Sequence, residues 1–372
     1  MPPDSLTDLF LALPLLAGSP RLLVWQWGRR GSPPRLAAAL TQGLQAEGAR
    51  VALSLADGAE LLTLSDAPRN DLPMRTYAGP LGWAGQVALT GPRGRELARR
   101  IAPLHPDAAI CVMPGPMDLT MATALHHLGV RFAVIVHDAS PHPGDGLPGQ
   151  FALQRALCRR AAVLMSWSGH VAETLRAQGF GRGAQRLVPA AHPPLAFDPP
   201  PPPAFAHGGP ARMLFFGRLL RYKGLDLLAE AAARMGGAGC TLKVVGAGPE
   251  TPALAALRAM PWVTVENRWV PETEIPGLLS WADAVVLPYV EASQSGVAAA
   301  ALAAGRAVLA TAVGGLPEQL GGETLGRLCA PAAGALAAAW WAMLADPPRG
   351  PPADAAAGWR QAGAAMLAAL GV

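Results

Sequence analysis

The amino-acid sequence predicts an α/β protein built of two doubly wound, Rossmann-like domains. Three observations support this prediction. The chain has 372 residues, 51% of them apolar and 15% charged, and at about 100–200 residues per domain this is enough for two cores. Short apolar runs alternate with helical stretches, and the runs are continuously apolar, as strands of a parallel sheet covered on both faces must be. The alternation also occurs twice, on either side of a proline-rich segment.

The first series of elements indicates a domain over residues 1–195. A strand at 22–25 precedes a helix at about 34–47. Further strands are predicted from short apolar runs at 51–55, 108–113, 132–136, 161–166 and 186–188. Strands and helices in this succession form a doubly wound sheet.

A proline-rich segment from Pro193 to Pro210 separates the two series. Five consecutive prolines occupy 199–203, and Gly208 and Gly209 follow them. Because proline lacks a backbone N–H and fixes its own φ angle, the segment suits neither a helix nor a central strand. We therefore assign 196–211 as an interdomain linker.

The alternation restarts after the linker and indicates a second domain over 212–350. Its strands are predicted at 213–216, 241–245, 263–266, 284–287 and 307–310. Its helices are predicted at 224–235, 272–281 and 297–304. An alanine-rich stretch at 353–370 indicates a terminal helix within residues 351–372.

The composition argues against several classes of protein. A net charge of +4 with dispersed basic residues does not favour nucleic-acid binding. The four cysteines have no zinc-binding spacing, and no Asp-x-Asp pair is present to hold a diphosphate through a metal. No run of about 20 strongly apolar residues predicts a membrane span, and Asp4 and Asp8 argue against a signal peptide. We therefore expect a metal-independent cytoplasmic protein, either soluble or peripheral at the inner face of a membrane.

A glycine-rich turn joins the first predicted strand to the first helix. Gly28 and Gly31 let the backbone approach a ligand closely, and the helix that begins near Pro33 presents a partly positive N-terminus. The turn matches neither the dinucleotide fingerprint nor a P-loop, so a nucleotide contact and a plain tight turn both stay open. Asp57, after the second strand, is a weaker candidate for a ribose contact.

His137 and Asp138 follow the predicted strand at 132–136. Residues at the carboxyl ends of parallel strands face the ligand crevice, so His137 is a candidate for hydrogen bonding to a sugar or a phosphate. The alternative is a side chain that ties down its own loop. His142, further along, is assigned to a loop near an acceptor.

Two cations share the loop between the first strand and the first helix of the second domain. Arg218 and Lys223 lie at the carboxyl end of a strand, flanked by Gly217 and Gly224. Cations at such a position stabilise the charge that develops on a leaving diphosphate. For either cation taken alone, a solvated loop charge is the alternative.

Gly246 and Gly248 follow the next strand of the second domain. They are candidates for framing a nucleotide, although turn geometry alone also accounts for them. Residues 268–271 are a weaker candidate for the edge of the base.

The loop after the predicted strand at 284–287 carries the most informative pattern, which runs from Pro288 to Gly296. Glu291 can accept hydrogen bonds from sugar hydroxyls. The N–H groups of Ser295 and Gly296 open the next helix towards an anion such as a diphosphate. An unliganded Glu291 that is merely solvated is the alternative.

Taken together, these residues resemble glycosyltransferase family 4, whose members are retaining enzymes of the GT-B fold. In the second domain the resemblance rests on residues 216–218, 223–226, 245–249, 288–296 and 310–318. In the first domain it rests more loosely on the glycine turn at 28–31 and on His137 and Asp138.

The resemblance implies that a nucleoside-diphosphate sugar binds in a cleft between an acceptor-side first domain and a donor-binding second domain. Arg218 and Lys223 would hold the diphosphate, and no cofactor is implied. Glu291 and His137 would be the catalytic residues on the sugar, with the leaving phosphate guiding the acceptor onto the same face. The acceptor would be a glycan or a lipid-linked intermediate, as in exopolysaccharide assembly, and the terminal helix would cross back to the first domain.

The sequence departs from the family pattern at one position. Members often carry a second Glu eight positions after the first, where this chain has Ala299. A catalytically impaired homologue that binds a sugar nucleotide or a partner protein therefore stays open, as does a nucleotide-sugar epimerase of similar two-domain shape. A Rossmann oxidoreductase is disfavoured because the dinucleotide fingerprint is missing.

Overall fold

The computed structural model describes residues 18–77, 90–142, 149–199 and 201–372. Asp4 and Asp8, which argue against a signal peptide, lie outside the described residues, as does residue 200 of the predicted linker.

The first domain is built on a six-stranded parallel sheet in the order β2-β1-β3-β4-β5-β6. Its strands are β1 (Arg21–Gln26), β2 (Arg50–Leu55), β3 (Ala108–Cys111), β4 (Arg131–Val136), β5 (Val163–Ser166) and β6 (Arg186–Pro189). Its helices are α1 (Ser32–Ala46), α2 (Thr90–Ile101), α3 (Asp118–His127), α4 (Gln150–Cys158) and α5 (Gly169–Ala177). Within the described residues of this domain, 3₁₀ turns lie at Glu60–Thr63 and Ala102–Leu104.

The second domain is built on another six-stranded parallel sheet, in the order β12-β11-β10-β7-β8-β9. Its strands are β7 (Ala211–Phe216), β8 (Cys240–Gly246), β9 (Val263–Asn267), β10 (Ala284–Leu287), β11 (Ala307–Thr311) and β12 (Gly326–Cys329). The order reverses between β7 and β10, as in a doubly wound fold. The predicted fold class, two Rossmann-like α/β domains, is confirmed.

The helices of the second half complete this architecture. They are α6 (Leu225–Met235), α7 (Pro252–Arg258), α8 (Ile275–Trp281), α9 (Gly296–Ala303), α10 (Leu316–Leu320), α11 (Ala333–Ala345) and α12 (Ala355–Leu370). The predicted helix at 272–281 is divided into a 3₁₀ turn, Glu272–Glu274, and α8, while a further 3₁₀ turn lies at Arg221–Lys223.

The burial of β1 explains why the strands are continuously apolar. Successive residues of a strand point to opposite faces of the sheet. Leu22 and Val24 belong to one buried cluster of the first domain, and Leu23 and Trp25 belong to another on the other face. Since both faces are covered, an alternating polar pattern would bury polar groups without partners.

Glycines allow the strand-end loops of the second domain to touch. A Cβ on Gly246 would lie 1.6 Å from the Gly217 carbonyl oxygen, so no other residue fits this contact between the ends of β7 and β8. Gly224 has a φ of 73°, and its Cβ would lie 1.7 Å from the Pro288 carbonyl oxygen. These contacts draw the loops after β7, β8 and β10 into one layer.

The terminal helix α12 packs on the first domain although it follows the second. Its Trp359, Met366 and Leu370 belong to the same buried cluster as Leu22 and Val24. The indole Nε1 of Trp359 donates to the Pro194 carbonyl oxygen at 2.9 Å. The helix therefore completes the core of the first domain.

None of the helices within the described ranges combines the length and the apolar character that crossing a membrane requires.

The close crossing of α1 and α12 gives a test of the fold. A Cβ on Gly43 of α1 would lie 2.1 Å from the backbone oxygen of Trp359. Gly43→Ala should therefore lower the free energy of unfolding by about 2 kcal/mol, because backbone atoms must move apart. Gly277→Ala in α8 is the matched control: that Cβ meets nothing within 4 Å, and the change should be neutral or stabilising by about 0.5–1 kcal/mol. Equal effects of the two changes in urea titrations would contradict this packing.

Candidate functional site

The carboxyl ends of both sheets line one cavity between the domains, with a volume of ≈450 Å³. The first domain contributes Arg30, Gly31, Ser32, Met113, Asp138 and His142 to its wall. The second domain contributes Gly217, Arg218, Lys223, Gly246, Gln294 and Gly296. Ligands of doubly wound proteins bind at such strand ends, so this cavity is the candidate site.

The two predicted cations lie together on its wall. Arg218 donates from Nη2 to the Tyr222 hydroxyl at 2.8 Å. The Lys223 Nζ lies 3.8 Å from the centroid of the Tyr289 ring and 4.9 Å from that of Tyr222. The pKa of Lys223 is lowered to about 8, chiefly by burial and in part by the neighbouring Arg218 guanidinium, while Tyr222 and Asp138 act in the opposite direction. A ligand anion would reverse this effect, since it favours the charged amine.

Two helix N-termini face each other across the same cavity. Helix α1 begins at Ser32, after Gly31, whose φ is 77° and which makes no side-chain cap. Helix α9 begins at Gly296, and a Cβ there would lie 4.0 Å from the Ser32 hydroxyl oxygen. The N-terminal turns of helices attract anions. The cavity thus combines two side-chain cations with two partly positive helix ends.

Glu291 contacts His142 of the opposite domain. The Nδ1 atom of His142 lies 3.0 Å from Glu291 Oε1, and its Nε2 atom lies 3.0 Å from Asp138 Oδ1. The His142 ring also stacks on Tyr222, with centroids 4.6 Å apart and planes inclined by 10°. The Glu291 side chain is 48% exposed, so the rest of its carboxylate stays accessible.

His137 lies behind the wall of the cavity. Its ring is buried, with Nε2 3.0 Å from the Val112 carbonyl oxygen and Nδ1 3.3 Å from the Gln294 amide nitrogen. Burial lowers the pKa of His137 to about 4, so the imidazole is neutral. Gln294 is the member of this pair that lines the cavity. Direct contact of His137 with a sugar stays a prediction.

Ser295 and Gly296 have different surroundings. The backbone N–H of Ser295 donates to Gln319 Oε1 at 2.9 Å, and its hydroxyl caps α9 by accepting from the Ala298 N–H at 3.2 Å. The backbone N–H of Ser295 thus already has a partner, and the residue is buried, so Ser295 supports the start of α9. Gly296 lines the cavity and keeps its predicted role as an anion contact.

The four predicted loop glycines differ in whether they line the cavity. Gly31 and Gly246 line the cavity. The N–H of Gly28 instead donates to the Gln26 side chain at 2.7 Å, and that of Gly248 donates to the Asn267 side chain at 3.1 Å. These two glycines shape their turns, and their contact with a nucleotide stays a prediction.

Ala299, at the position expected to correspond to the second family Glu, is buried and is not part of the cavity lining. The carbonyl oxygen of Ala299 accepts from the Leu195 N–H at 3.2 Å, and its side chain packs in a core cluster of the first domain. Ala300, one residue later, lines the cavity together with Gly296 and Val297. Residues three and four apart share a helix face, so the cavity-facing position on α9 is Ala300.

Contacts across the cleft join the two domains near the site. Arg35 of α1 forms an ion pair with the buried Glu272, whose backbone N–H donates to Glu60 Oε1 at 2.8 Å. Burial raises the pKa of Glu272, while Arg35 opposes that rise. Glu318 accepts from the N–H groups of Gly169 and His170 at 2.6 and 3.0 Å, at the start of α5. Each domain therefore supplies partners for charges carried by the other.

The sequence did not predict that His142 contacts both Asp138 and Glu291. Asp138 and His142 both lie in the loop after β4. The only indication of their contact in the sequence is that these two polar residues follow a strand end at short spacing.

Trp269 also lines the cavity and is 42% exposed, with the Arg30 guanidinium 6.0 Å from its ring centroid.

Within the described ranges, no group of three or more His, Cys, Asp or Glu side chains is arranged to hold a metal ion. Metal independence stays a prediction.

Two family models match the chain, one in each domain. Residues 31–191 match a glycosyl transferase 4-like domain, and residues 210–346 match glycosyl transferases group 1. The 2-deoxystreptamine glucosyltransferase of Streptomyces kanamyceticus is 32% identical over a region that covers 48% of this chain and 50% of that protein. The chain thus spans about half the length (50%) of this curated relative.

Solved structures share the architecture over almost the whole chain. Anabaena HepE in complex with UDP and glucose has a TM-score of 0.65 at 17% identity, covering 93% of this chain and 95% of that one. Sucrose-phosphate synthase from Thermosynechococcus elongatus has a TM-score of 0.64 at 19% identity, covering 94% and 96%. UDP-GlcNAc 2-epimerase from Neisseria meningitidis, bound to UDP-GlcNAc, has a TM-score of 0.58 at 10% identity, covering 94% and 100%. At these identities the likeness establishes the fold alone.

The ion pair between Arg35 and Glu272 gives a test of the closed arrangement. Arg35→Met leaves the Glu272 carboxylate buried without its cation, which should lower the free energy of unfolding by about 3 kcal/mol. Arg360→Met is the matched control, because its pair with Glu47 is more exposed, at 61% and 27%, and should cost less than about 1 kcal/mol. Adding Glu272→Gln should restore part of the loss caused by Arg35→Met. Urea titrations in which the two arginine variants behave alike would contradict the buried pair.

Proposed function

The chain belongs to the group 1 and 4-like glycosyl transferases, and we propose that it moves a sugar from a nucleoside-diphosphate sugar to an acceptor hydroxyl. The observation that carries this proposal is the convergence of Arg218, Lys223 and two helix N-termini on one cavity, with Glu291 3.0 Å from His142, which lines it. The cations match a diphosphate, and the carboxylate matches sugar hydroxyls.

The diphosphate is proposed to lie between the starts of α1 and α9. Each helix N-terminus contributes about half an elementary charge, and Arg218 and Lys223 add a full charge each. This positive charge supports a leaving diphosphate without a metal ion, so we propose a metal-independent transfer with no cofactor. Fixed donors of this kind stabilise charge as it develops in the transition state.

The sugar is proposed to lie beside the diphosphate, against Glu291. Strands β7 and β10 are neighbours in the sheet, and the loops that follow them are linked by the Val290 N–H donating to the Tyr222 carbonyl oxygen at 2.9 Å. Lys223 and Glu291 therefore sit on adjacent, linked loops. This spacing suits one ligand with an anionic part and a hydroxyl-rich part.

The proposed reaction retains the configuration at the sugar C1. The bond between C1 and the diphosphate oxygen breaks, and a bond between C1 and the acceptor oxygen forms on the same face. The acceptor hydroxyl proton passes to the leaving diphosphate, so no protein nucleophile takes part. Retention comes from the family resemblance, and the anomeric configuration of the product, measured by NMR, tests it.

UDP-glucose is the first donor to test. Structural neighbours have been solved with UDP and with UDP-glucose, and the curated relative is named as a glucosyltransferase. The exposed Trp269, which lines the cavity, offers a flat surface against which a base can pack.

The acceptor is proposed to be a glycan or a lipid-linked intermediate, as in exopolysaccharide assembly, with the protein at the inner face of a membrane. The name of the curated relative supports a second acceptor class, an aminocyclitol such as 2-deoxystreptamine. Transfer assays with both acceptor classes separate these possibilities.

A nucleotide-sugar epimerase is the second candidate function. The cluster of Asp138, His142 and Glu291 favours it, because epimerisation needs proton-transferring groups beside the sugar ring. Incubation with UDP-GlcNAc alone, without acceptor, separates the two: an epimerase forms an epimeric sugar, whereas a transferase leaves the ring configuration unchanged. The family models favour the transferase.

Donor binding should stabilise the fold independently of divalent metal. At a ligand concentration about 100 times the dissociation constant, linkage gives about 2.7 kcal/mol of stabilisation. A thermal-shift screen of UDP, GDP, ADP and their sugar conjugates, with EDTA or with Mg²⁺, measures this. We expect one nucleotide series to raise the melting temperature equally under both conditions. A shift that requires Mg²⁺ would contradict metal independence, and no shift with any nucleotide would contradict donor binding.

Lys223→Ala and Glu291→Ala should each lower kcat/KM about tenfold or more, because each removes a contact to the reacting group. Lys243→Ala is the matched control: this second lysine lies over the Trp281 ring, away from the cavity, and its loss should leave the rate unchanged. The wild-type kcat/KM should also fall as pH rises through about 8, where Lys223 loses its charge. Lys223→Arg should remove the part of that fall that comes from Lys223. Wild-type rates for both alanine variants would contradict the site.

A further inference from the structure

His142 forms a bridge between the domains inside the candidate site. Its two ring nitrogens each lie 3.0 Å from a carboxylate oxygen, one on Asp138 of its own loop and one on Glu291 of the second domain. Its ring stacks on Tyr222, which also belongs to the second domain. The residue is 8% exposed, so water competes little for these contacts.

The chemistry of the partners fixes the protonation of His142. An ionised carboxylate only accepts hydrogen bonds, and a neutral imidazole has just one N–H. Two ionised carboxylates at hydrogen-bond distance from both nitrogens therefore require two N–H groups, that is, the imidazolium form. Burial alone would lower the pKa of His142, but the two carboxylates outweigh it and raise that pKa. Burial would likewise raise the pKa of Asp138, yet the hydrogen bond from His142 holds it below its ordinary value.

The two nitrogens of the His142 ring have partners in different domains. Asp138 is part of the first domain and orients Nε2, so Nδ1 points across the cleft. Tyr222 covers one face of the ring, and behind it lie Lys223 and Arg218, which contact the same tyrosine. His142 thus delivers its second N–H to Glu291 in a fixed direction.

We propose that His142 is a positioning residue that holds the Glu291 carboxylate ready for the donor sugar, an inference that rests on the proposed function. One carboxylate oxygen of Glu291 binds Nδ1 of His142, and the other stays accessible for sugar hydroxyls. Fixing the side chain before the sugar arrives removes an entropy cost from donor binding. The bridge also ties formation of this subsite to closure of the two domains.

The bridge is sensitive to pH in a defined direction. Because its folded-state pKa is raised above the ordinary value of 6.5, the contact is complete below that value. It is lost as pH rises through the raised pKa, when the imidazolium gives up one N–H. The positioning effect should therefore fade on the alkaline side.

A ligand-free experiment tests the bridge itself. The ring resonances of His142 are assigned by their loss in His142→Gln, and their pH titration is followed by NMR. In Glu291→Gln the pKa of His142 should fall by about one unit, because an opposite charge has been removed. An unchanged titration would overturn the bridge.

A binding experiment tests the positioning role, with UDP-glucose and UDP as probes in calorimetry. His142→Gln should weaken UDP-glucose about tenfold at pH 6.5 and change UDP less than about twofold, since only the sugar meets Glu291. His127→Gln, an exposed histidine at the end of α3, is the matched control and should change neither. Equal weakening of both ligands, or no weakening of UDP-glucose, would overturn the positioning role.

The two experiments separate failure of this inference from failure of the proposed function. If the wild type binds neither UDP-glucose nor any other sugar nucleotide, both the proposed function and the positioning role are wrong. If the wild type binds and the NMR titration is unchanged in Glu291→Gln, the proposed function stands and this inference alone is wrong.

Discussion

The carboxyl ends of two parallel sheets face each other across one cavity, and the arrangement of the site depends on this constraint. In a parallel sheet, every loop that follows a strand emerges at the same edge. Because two such edges face each other, loops that are far apart in sequence come together, including those that carry Asp138, Lys223 and Glu291. It also directs the starts of α1 and α9 at the same space. The positive end of the cavity is thus a product of topology as much as of side-chain charge.

The closed arrangement is stabilised by charges that find partners in the opposite domain. Arg35 meets Glu272, His142 meets Glu291, and Glu318 accepts from the first N–H groups of α5. Glu272 is buried among these groups, and a buried charge without a partner is costly. Separation of the domains would expose all of them to water at once. Among these residues, His142 also lines the cavity, so this contact between the domains lies at the candidate site.

Much of the fold was predictable from the sequence because burial on both faces leaves a local signature. In β1, neighbouring residues enter different core clusters, so the whole strand has to be apolar. The cations at Arg218 and Lys223 were predictable for a similar reason, since a short loop after a strand fixes where they lie. The role of His142 was missed because its partner Glu291 is 149 residues away. The same applies to Arg35 with Glu272, and the orientation of α9, which decides between Ala299 and Ala300, depends on how the helix packs.

The crossing of α12 onto the first domain has a consequence for biosynthesis. A ribosome translates the helix only after the entire second domain, yet its Trp359, Met366 and Leu370 complete the first domain's core. Until then the nascent first domain presents an uncovered apolar groove along α1, which a chaperone or a second nascent chain can occupy. The first domain can therefore complete its packing only after the last helix has been synthesised.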